Sequence, residues 1–258
     1  ILPGIELRLR DAGHILGSAI VELWLGEQGR TRKIVFSGDL GLRGTPILRD
    51  PAVVEEADAV LLESTYGDRL HRSRDASIAE LGEVFAAAHA EGGNILIPAF
   101  AVGRTQELLY QFARHYDDWG LDHWRICLDS PMAIQATEVY AKYEELYDRE
   151  TVQLRREAGR RLAAKLEMIR TPQQSQALNR ARSGLVIIAA SGMCEGGRVR
   201  HHLKNLLWRP RTHVVIVGFQ ARGTTGRKLV DGAAYVSLWG EPVRVKATVH
   251  TLGGFSAH

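Results

Sequence analysis

Short apolar runs alternate with amphipathic stretches along this chain. "TRKIVFSGDLG" and "ADAVLLESTYGD" are β-rich runs that end in Ser-Gly-Asp and Glu-Ser-Thr. Ile78, Leu81, Val84, Phe85 and Ala88 fall at helical spacing and predict a helix from about Ser77 to Ala90. "GGNILIPAFAVGRTQELLYQFARHY" reads as a buried strand, a turn and a helix from about Arg104, and "RICLDSPMA" as a strand that stops at Asp-Ser-Pro. The stretch from Ile134 to Ala181 is charged and reads as mostly helical. "SGLVIIAASGMCEGGRVRHHLKNLL" and "THVVIVGFQARGTTGRKLV" each repeat strand, glycine turn and helix, and "EPVRVKATVHTL" alternates like one half-exposed strand. Strands that alternate with helices predict an α/β protein with mostly parallel central strands. In such sheets ligands gather at the carboxyl ends of strands, where the polar clusters of this sequence fall.

Composition adds little to this picture. With 258 residues, 45% hydrophobic and 24% charged, the chain has ample core for one large or two modest domains. A net charge of +3 permits a polyanionic partner without demanding one. Apolar runs such as "GLVIIAA" are far below membrane-span length, and no signal peptide is visible. Two cysteines, Cys127 and Cys194, are too few for a disulfide framework and fit a reducing cytoplasm. The first residue is Ile1 rather than Met, and the last six, "GGFSAH", read as a site loop rather than a tail. The chain therefore reads as a piece of a longer polypeptide.

Candidate chemistry sits on the strand ends. His14 lies in "DAGHILGSA", Asp39 in "FSGDLG", Glu63 after the apolar run of "LLESTYGD" and His258 on the terminal glycine turn. Each taken singly has a structural reading: a satisfied core histidine, or an aspartate capping a turn. Glu63 is costly to bury there unless paired or bound to metal. Together the four could hold a metal or act as an acid–base set, and the residues alone do not choose. His201 and His202 are adjacent within a predicted helix, point apart and read as no metal site. Three glycine turns place small residues and cations before helices, where free backbone N–H groups bind phosphate. They predict a track for a phosphodiester chain lined by Arg104, Ser191, Gly192, Met193, Gln220, Thr224 and Arg227, with Arg222 and Lys228 alongside. The alternative is ordinary turn chemistry.

Taken in order, "DAGHILGSA", "FSGDLG", "LLESTYGDRLH", "PAFAVGRTQELL", "LDSPMA", "SGMCEGGRVRHHL", "VGFQARGTTGR" and "VHTLGGFSAH" resemble the metallo-β-lactamase superfamily, in its β-CASP branch of RNA-processing nucleases. The resemblance covers nearly the whole chain and points to the bacterial and archaeal members, akin to the pre-mRNA cleavage endonuclease subunit. It implies an α/β fold: a metallo-β-lactamase αββα sandwich, incomplete here, with an inserted α/β β-CASP domain. The expected boundaries are 1–67 for the first domain, 68–246 for the insertion and 247–258 for the return to the first. The resemblance also implies His14 as a zinc ligand, Asp39 as the carboxylate bridging two zinc ions, and Glu63 as partner of His258, the proton donor to the leaving oxygen. The family's His-x-His-x-Asp-His motif is expected before residue 1 and a further histidine ligand after residue 258. The implied activity is zinc-dependent hydrolysis of RNA phosphodiesters, endo- or exonucleolytic, in RNA processing or decay, with the 258 residues inactive alone. The implied partner is single-stranded RNA, without a membrane partner, and with a homodimer as an oligomeric form to test. Alternatives are a non-catalytic RNA-binding scaffold subunit and a DNA-directed nuclease of the same fold. The long insertion argues against a small-molecule hydrolase.

Overall fold

Alternating apolar and charged positions build the first sheet. The computed structural model describes residues 3–68 and 72–255. Four strands, β1 (Ile5–Asp11), β2 (Ala19–Glu27), β3 (Arg30–Phe36) and β4 (Ala59–Leu61), lie in that spatial order. β2 pairs antiparallel with both β1 and β3, and β4 pairs parallel with β3, so β1, β3 and β4 run in one direction. The β2–β3 turn places Gln28 and Gly29 at φ 50° and 78°, the mirror-image turn that suits the twist of paired strands. One sheet face buries Ile20 and Val35 beside Glu22, whose carboxylate meets Lys33 at 2.9 Å and Arg10 at 3.3 Å. The Lys33 contact, with Arg10, holds that carboxyl below its ordinary pKa against the opposing effect of burial. On the other face Leu9 is 60% exposed.

Fully apolar strands build the second sheet. β5 (Asn94–Pro98), β6 (Arg125–Leu128), β7 (Leu166–Met168), β8 (Leu185–Ala189) and β9 (Thr212–Ile216) are followed by the hairpin β10 (Tyr235–Leu238) and β11 (Glu241–Arg244), then by β12 (Thr248–Thr251). The sheet order is β12-β9-β5-β8-β6-β7, parallel throughout. Every residue of β5, β8 and β9 is buried, as expected of a parallel sheet covered on both faces. The helices are α1 (Arg74–Ala90), α2 (Arg104–Arg114), α3 (Pro131–Lys142), α4 (Arg149–Arg156), α5 (Ala158–Lys165), α6 (Pro172–Leu178), α7 (Val199–Leu206) and α8 (Thr225–Val230). Neighbours along a strand point to opposite faces. Ile95 and Ile97 therefore pack with Phe85 of α1 and Phe112 of α2, while Leu96 packs with Leu203 and Leu206 of α7.

The described chain divides into two compact units, one of residues 3–68 and 143–152, the other of 72–142 and 153–255. Two stretches group differently from the sequence expectation. Residues 143–152 join the first unit, where Thr151 Oγ1 accepts from the Ile47 N–H at 3.0 Å and the Asp148 N–H donates to the Ile47 carbonyl. The run "EPVRVKATVHTL" is two strands, not one. Lys246 and Ala247 turn their N–H groups to the Leu207 carbonyl. That contact separates β11, which pairs with β10, from β12, which pairs with β9 in the second unit.

A buried polar network ties the second unit together. Asp129, just past β6, is 0% exposed. It accepts from Arg198 Nη1 at 2.6 Å, from His202 Nε2 at 2.6 Å and from Ser175 Oγ. His202 Nδ1 meets Asn179 Oδ1 at 2.8 Å, and Arg198 also donates to the carbonyls of Ile169 and Arg170. His202 is thus a structural histidine, while its neighbour His201 is exposed. Burial would raise the Asp129 pKa, but the bonds from His202, Ser175 and Arg198 outweigh it and hold the carboxyl below its ordinary range.

Removing one partner of a buried pair typically costs about 3–5 kcal/mol. Asp129→Asn is expected to lower the unfolding free energy on that order in a denaturant titration. Because the folded pKa lies below the unfolded one, the carboxylate's contribution is present above about pH 4 and is lost as the pH falls further, so wild type should lose its margin over the variant in acid. Burial pushes the thiols of Cys127 and Cys194 up to about 12. Both should resist an alkylating reagent at pH 8 in the native protein and react once denaturant opens the fold. Rapid native labelling would contradict this burial.

Candidate functional site

In the first unit the shared direction of β1, β3 and β4 sends the chain out at one sheet end three times. His14 follows β1, Asp39 follows β3 and Glu63 follows β4. Glycines let the first two turns touch. Gly13 has φ 67°, and Gly38 has φ 56° with the Ala19 carbonyl against it. A Cβ on Gly41 would collide with the Gly13 carbonyl and fall 2.8 Å from the His14 nitrogen. The Gly41 N–H donates to the Ala12 carbonyl at 2.8 Å. The Ser18 hydroxyl accepts from the His14 and Ile15 N–H groups at 3.2 and 3.3 Å, closing the turn that carries His14.

Glu63 belongs to the same cluster, in a role that sequence reasoning missed. Its N–H donates to Ser37 Oγ at 3.0 Å. Its Oε1 accepts from the Leu40 N–H at 2.7 Å, and Oε2 accepts from the Thr65 N–H at 3.3 Å. The half-buried carboxylate therefore clamps the turn that presents the exposed Asp39. The structure brings the His14, Asp39 and Glu63 segments together. His258, the expected partner of Glu63, lies outside the described residues. Among the described residues no group of three or more His, Cys, Asp and Glu side chains is arranged to hold a metal. Among the described residues His14 and Asp39 are by themselves too few donors for a two-zinc centre.

In the second unit the loops after β8 and β9 interlock. Gln220 Nε2 donates to the Gly192 carbonyl at 2.9 Å and to the Gly218 carbonyl at 3.1 Å, and the Gly226 N–H donates to the Met193 carbonyl at 3.1 Å. Gly226 has no room for a side chain, since a Cβ would strike Gln220 Oε1. The Ser191 hydroxyl bonds within its own turn to Gly196. Thr224 caps α8, accepting from the Arg227 N–H at 3.1 Å. Ser191, Gly192, Met193, Gln220 and Thr224 thus sit on one pair of locked loops.

The two expected phosphate-binding arginines are already matched by acids. Arg104, at the start of α2, is buried and paired with Glu107, which also takes Arg74. Arg227 is paired with Asp231 one turn along α8, which raises its pKa above the ordinary value. The Thr225 N–H at the start of α8 is occupied by the Glu195 carboxylate, and that bond holds the Glu195 pKa low. A phosphate at this helix start competes with Glu195. Arg222 and Lys228, which sequence reasoning placed beside the track, are exposed on the same loop and helix.

Comparison with known proteins agrees with the motif order. The model of the Beta-Casp domain matches residues 105–229. The chain is similar to ribonuclease TTHA0252 of Thermus thermophilus, 41% identical over 259 residues, covering 100% of this chain and 58% of that protein. It is also similar to the transcription termination factor FttA of Pyrococcus abyssi, 33% identical over 269 residues and 41% of its length, and of Methanococcus maripaludis, 31% identical and 42% of its length. The chain therefore spans from two fifths to three fifths of these relatives. With its ordered motifs and its α/β fold, the chain carries a Beta-Casp domain over residues 105–229 and is similar along its whole length to these relatives.

Proposed function

We propose that the protein hydrolyses RNA phosphodiesters and depends on zinc. His14 and Asp39 serve as metal donors. The observation that carries this reading is the convergence of the His14 and Asp39 turns at one sheet end, locked by Gly41 and by the Glu63 carboxylate. A polar cluster so built fixes its donors before any ligand arrives, which favours catalysis over loose binding. The zinc ions supply, when bound, a hydroxide at neutral pH and charge stabilisation on phosphoryl oxygens. This chain's residues do the positioning: Glu63 holds the Asp39 turn through Leu40, and Ser18 holds the His14 turn. The relatives named as a ribonuclease and as transcription termination factors support RNA as the substrate. The fold supports the exposed Arg222 and Lys228 and the locked β8 and β9 loops as the face that follows the phosphate chain.

The test uses the full-length protein, a single-stranded RNA cleavage assay, metal analysis and thermal unfolding. Asp39→Asn is expected to lose zinc and activity together. Glu63→Gln keeps a side-chain oxygen for the Leu40 N–H and should retain zinc, while cleavage falls by about 10²–10⁴-fold if Glu63 also serves proton transfer. Glu63→Ala releases the turn and should lose zinc and about 1–3 kcal/mol of stability. Unchanged cleavage in all three variants sinks the nuclease reading and leaves the scaffold subunit. A wild type that cleaves single-stranded DNA in preference to RNA overturns the substrate assignment.

A further inference from the structure

A second surface is built where α7, which follows the β8 loop, meets the β10–β11 turn. The two-residue turn between β10 and β11 is Trp239–Gly240, both left-handed at φ 53° and 81°. Turns of this kind favour Asn-Gly or Asp-Gly, and a bulky residue at positive φ is strained. The tryptophan nevertheless stands there 47% exposed. α7 sets cations against it: the Arg200 guanidinium carbon lies 4.5 Å from the ring centroid and Lys204 Nζ 5.9 Å, and the His201 ring is 4.6 Å away. Four residues past Lys204, Trp208 is 52% exposed with Arg209 at 5.4 Å from its ring. Arg200, Lys204 and Arg209 outnumber the acid among them, Glu241, which pairs with Lys204 at 2.8 Å. Nearby Glu195 is engaged by Thr225.

We propose that Trp239, with Arg200, His201 and Lys204, is a contact site for single-stranded RNA outside the catalytic loops. The indole stacks on an unpaired base and Arg200 meets a flanking phosphate, with Lys204, paired with Glu241, beside them. Alternation of exposed rings with net positive charge is what sequence-tolerant binding of single strands requires, since every base offers a π-face and every nucleotide a phosphate. An acidic protein segment would use the cations but not the exposed ring in its strained turn. The proposal rests on RNA as the ligand of the proposed function and adds a place where a long RNA is held.

The experiment measures binding of labelled unstructured poly-U RNA to the full-length protein, with thermal unfolding and sedimentation alongside. Trp239→Asn suits the turn, so its melting temperature should equal or exceed that of wild type, while RNA affinity falls about tenfold through loss of one stack. Trp239→Phe should recover most of that affinity, and Arg200→Ala should flatten the salt dependence of binding. Wild-type affinity in Trp239→Asn overturns the proposal while leaving the nuclease reading intact. Unchanged RNA affinity with an altered sedimentation coefficient overturns it in favour of a contact between copies of this chain. A wild-type protein that binds no RNA overturns both.

Discussion

The second unit is organised around one buried carboxylate. Asp129 sits fully buried where β6 ends, so its charge is tolerable because Arg198, His202 and Ser175 each donate to it. Those donors come from the start of α7, its middle and α6. The network therefore fixes how two helices meet the sheet. Arg198 extends it to the chain just past β7. α7 in turn sets Arg200, His201 and Lys204 beside the β10–β11 turn, so the position of that surface cluster follows from a charge satisfied in the core.

The first unit solves a different problem, that of holding polar turns close together at a sheet end. Its means are local: glycines at Gly13, Gly38 and Gly41 where side chains would collide, and a glutamate that spends both oxygens on backbone N–H groups. A carboxylate used this way is both a positioning residue and a source of negative potential beside Asp39. The opposite, apolar side of the same sheet exposes Leu9 and Leu61.

Cations in the second unit divide into two classes that look alike in one dimension. Arg104 and Arg227 are matched by Glu107 and Asp231 within one helical turn, and the start of α8 is met by Glu195. Arg222 and Lys228 stand exposed beside them. Attraction for a polyanion depends on this balance and not on the number of basic residues in the loop.

The sequence by itself determined the layering, the motif order and the strand ends where the polar residues fall. Apolar runs such as "NILIP" and "GLVIIA" are unambiguous because a doubly covered strand must be apolar at every position, and helical spacing marks α1 within a few residues. His14, Asp39 and Glu63 stand out in the sequence because each follows a β-rich run, and the folded chain places their turns at one sheet end. What stayed hidden depends on partners distant in sequence. His202 read only as no metal ligand, since its acceptor lies 73 residues earlier. Nothing local in Glu63 announces the Leu40 amide 23 residues away. The split of "EPVRVKATVHTL" is set by the Leu207 carbonyl, and residues 143–152 are drawn to the first unit by Ile47. Periodicity records which side of an element is buried. Only the folded chain decides which donor reaches which acceptor, because hydrogen bonds and ion pairs act over a few ångströms between segments whose separation along the chain carries no information about their distance in space.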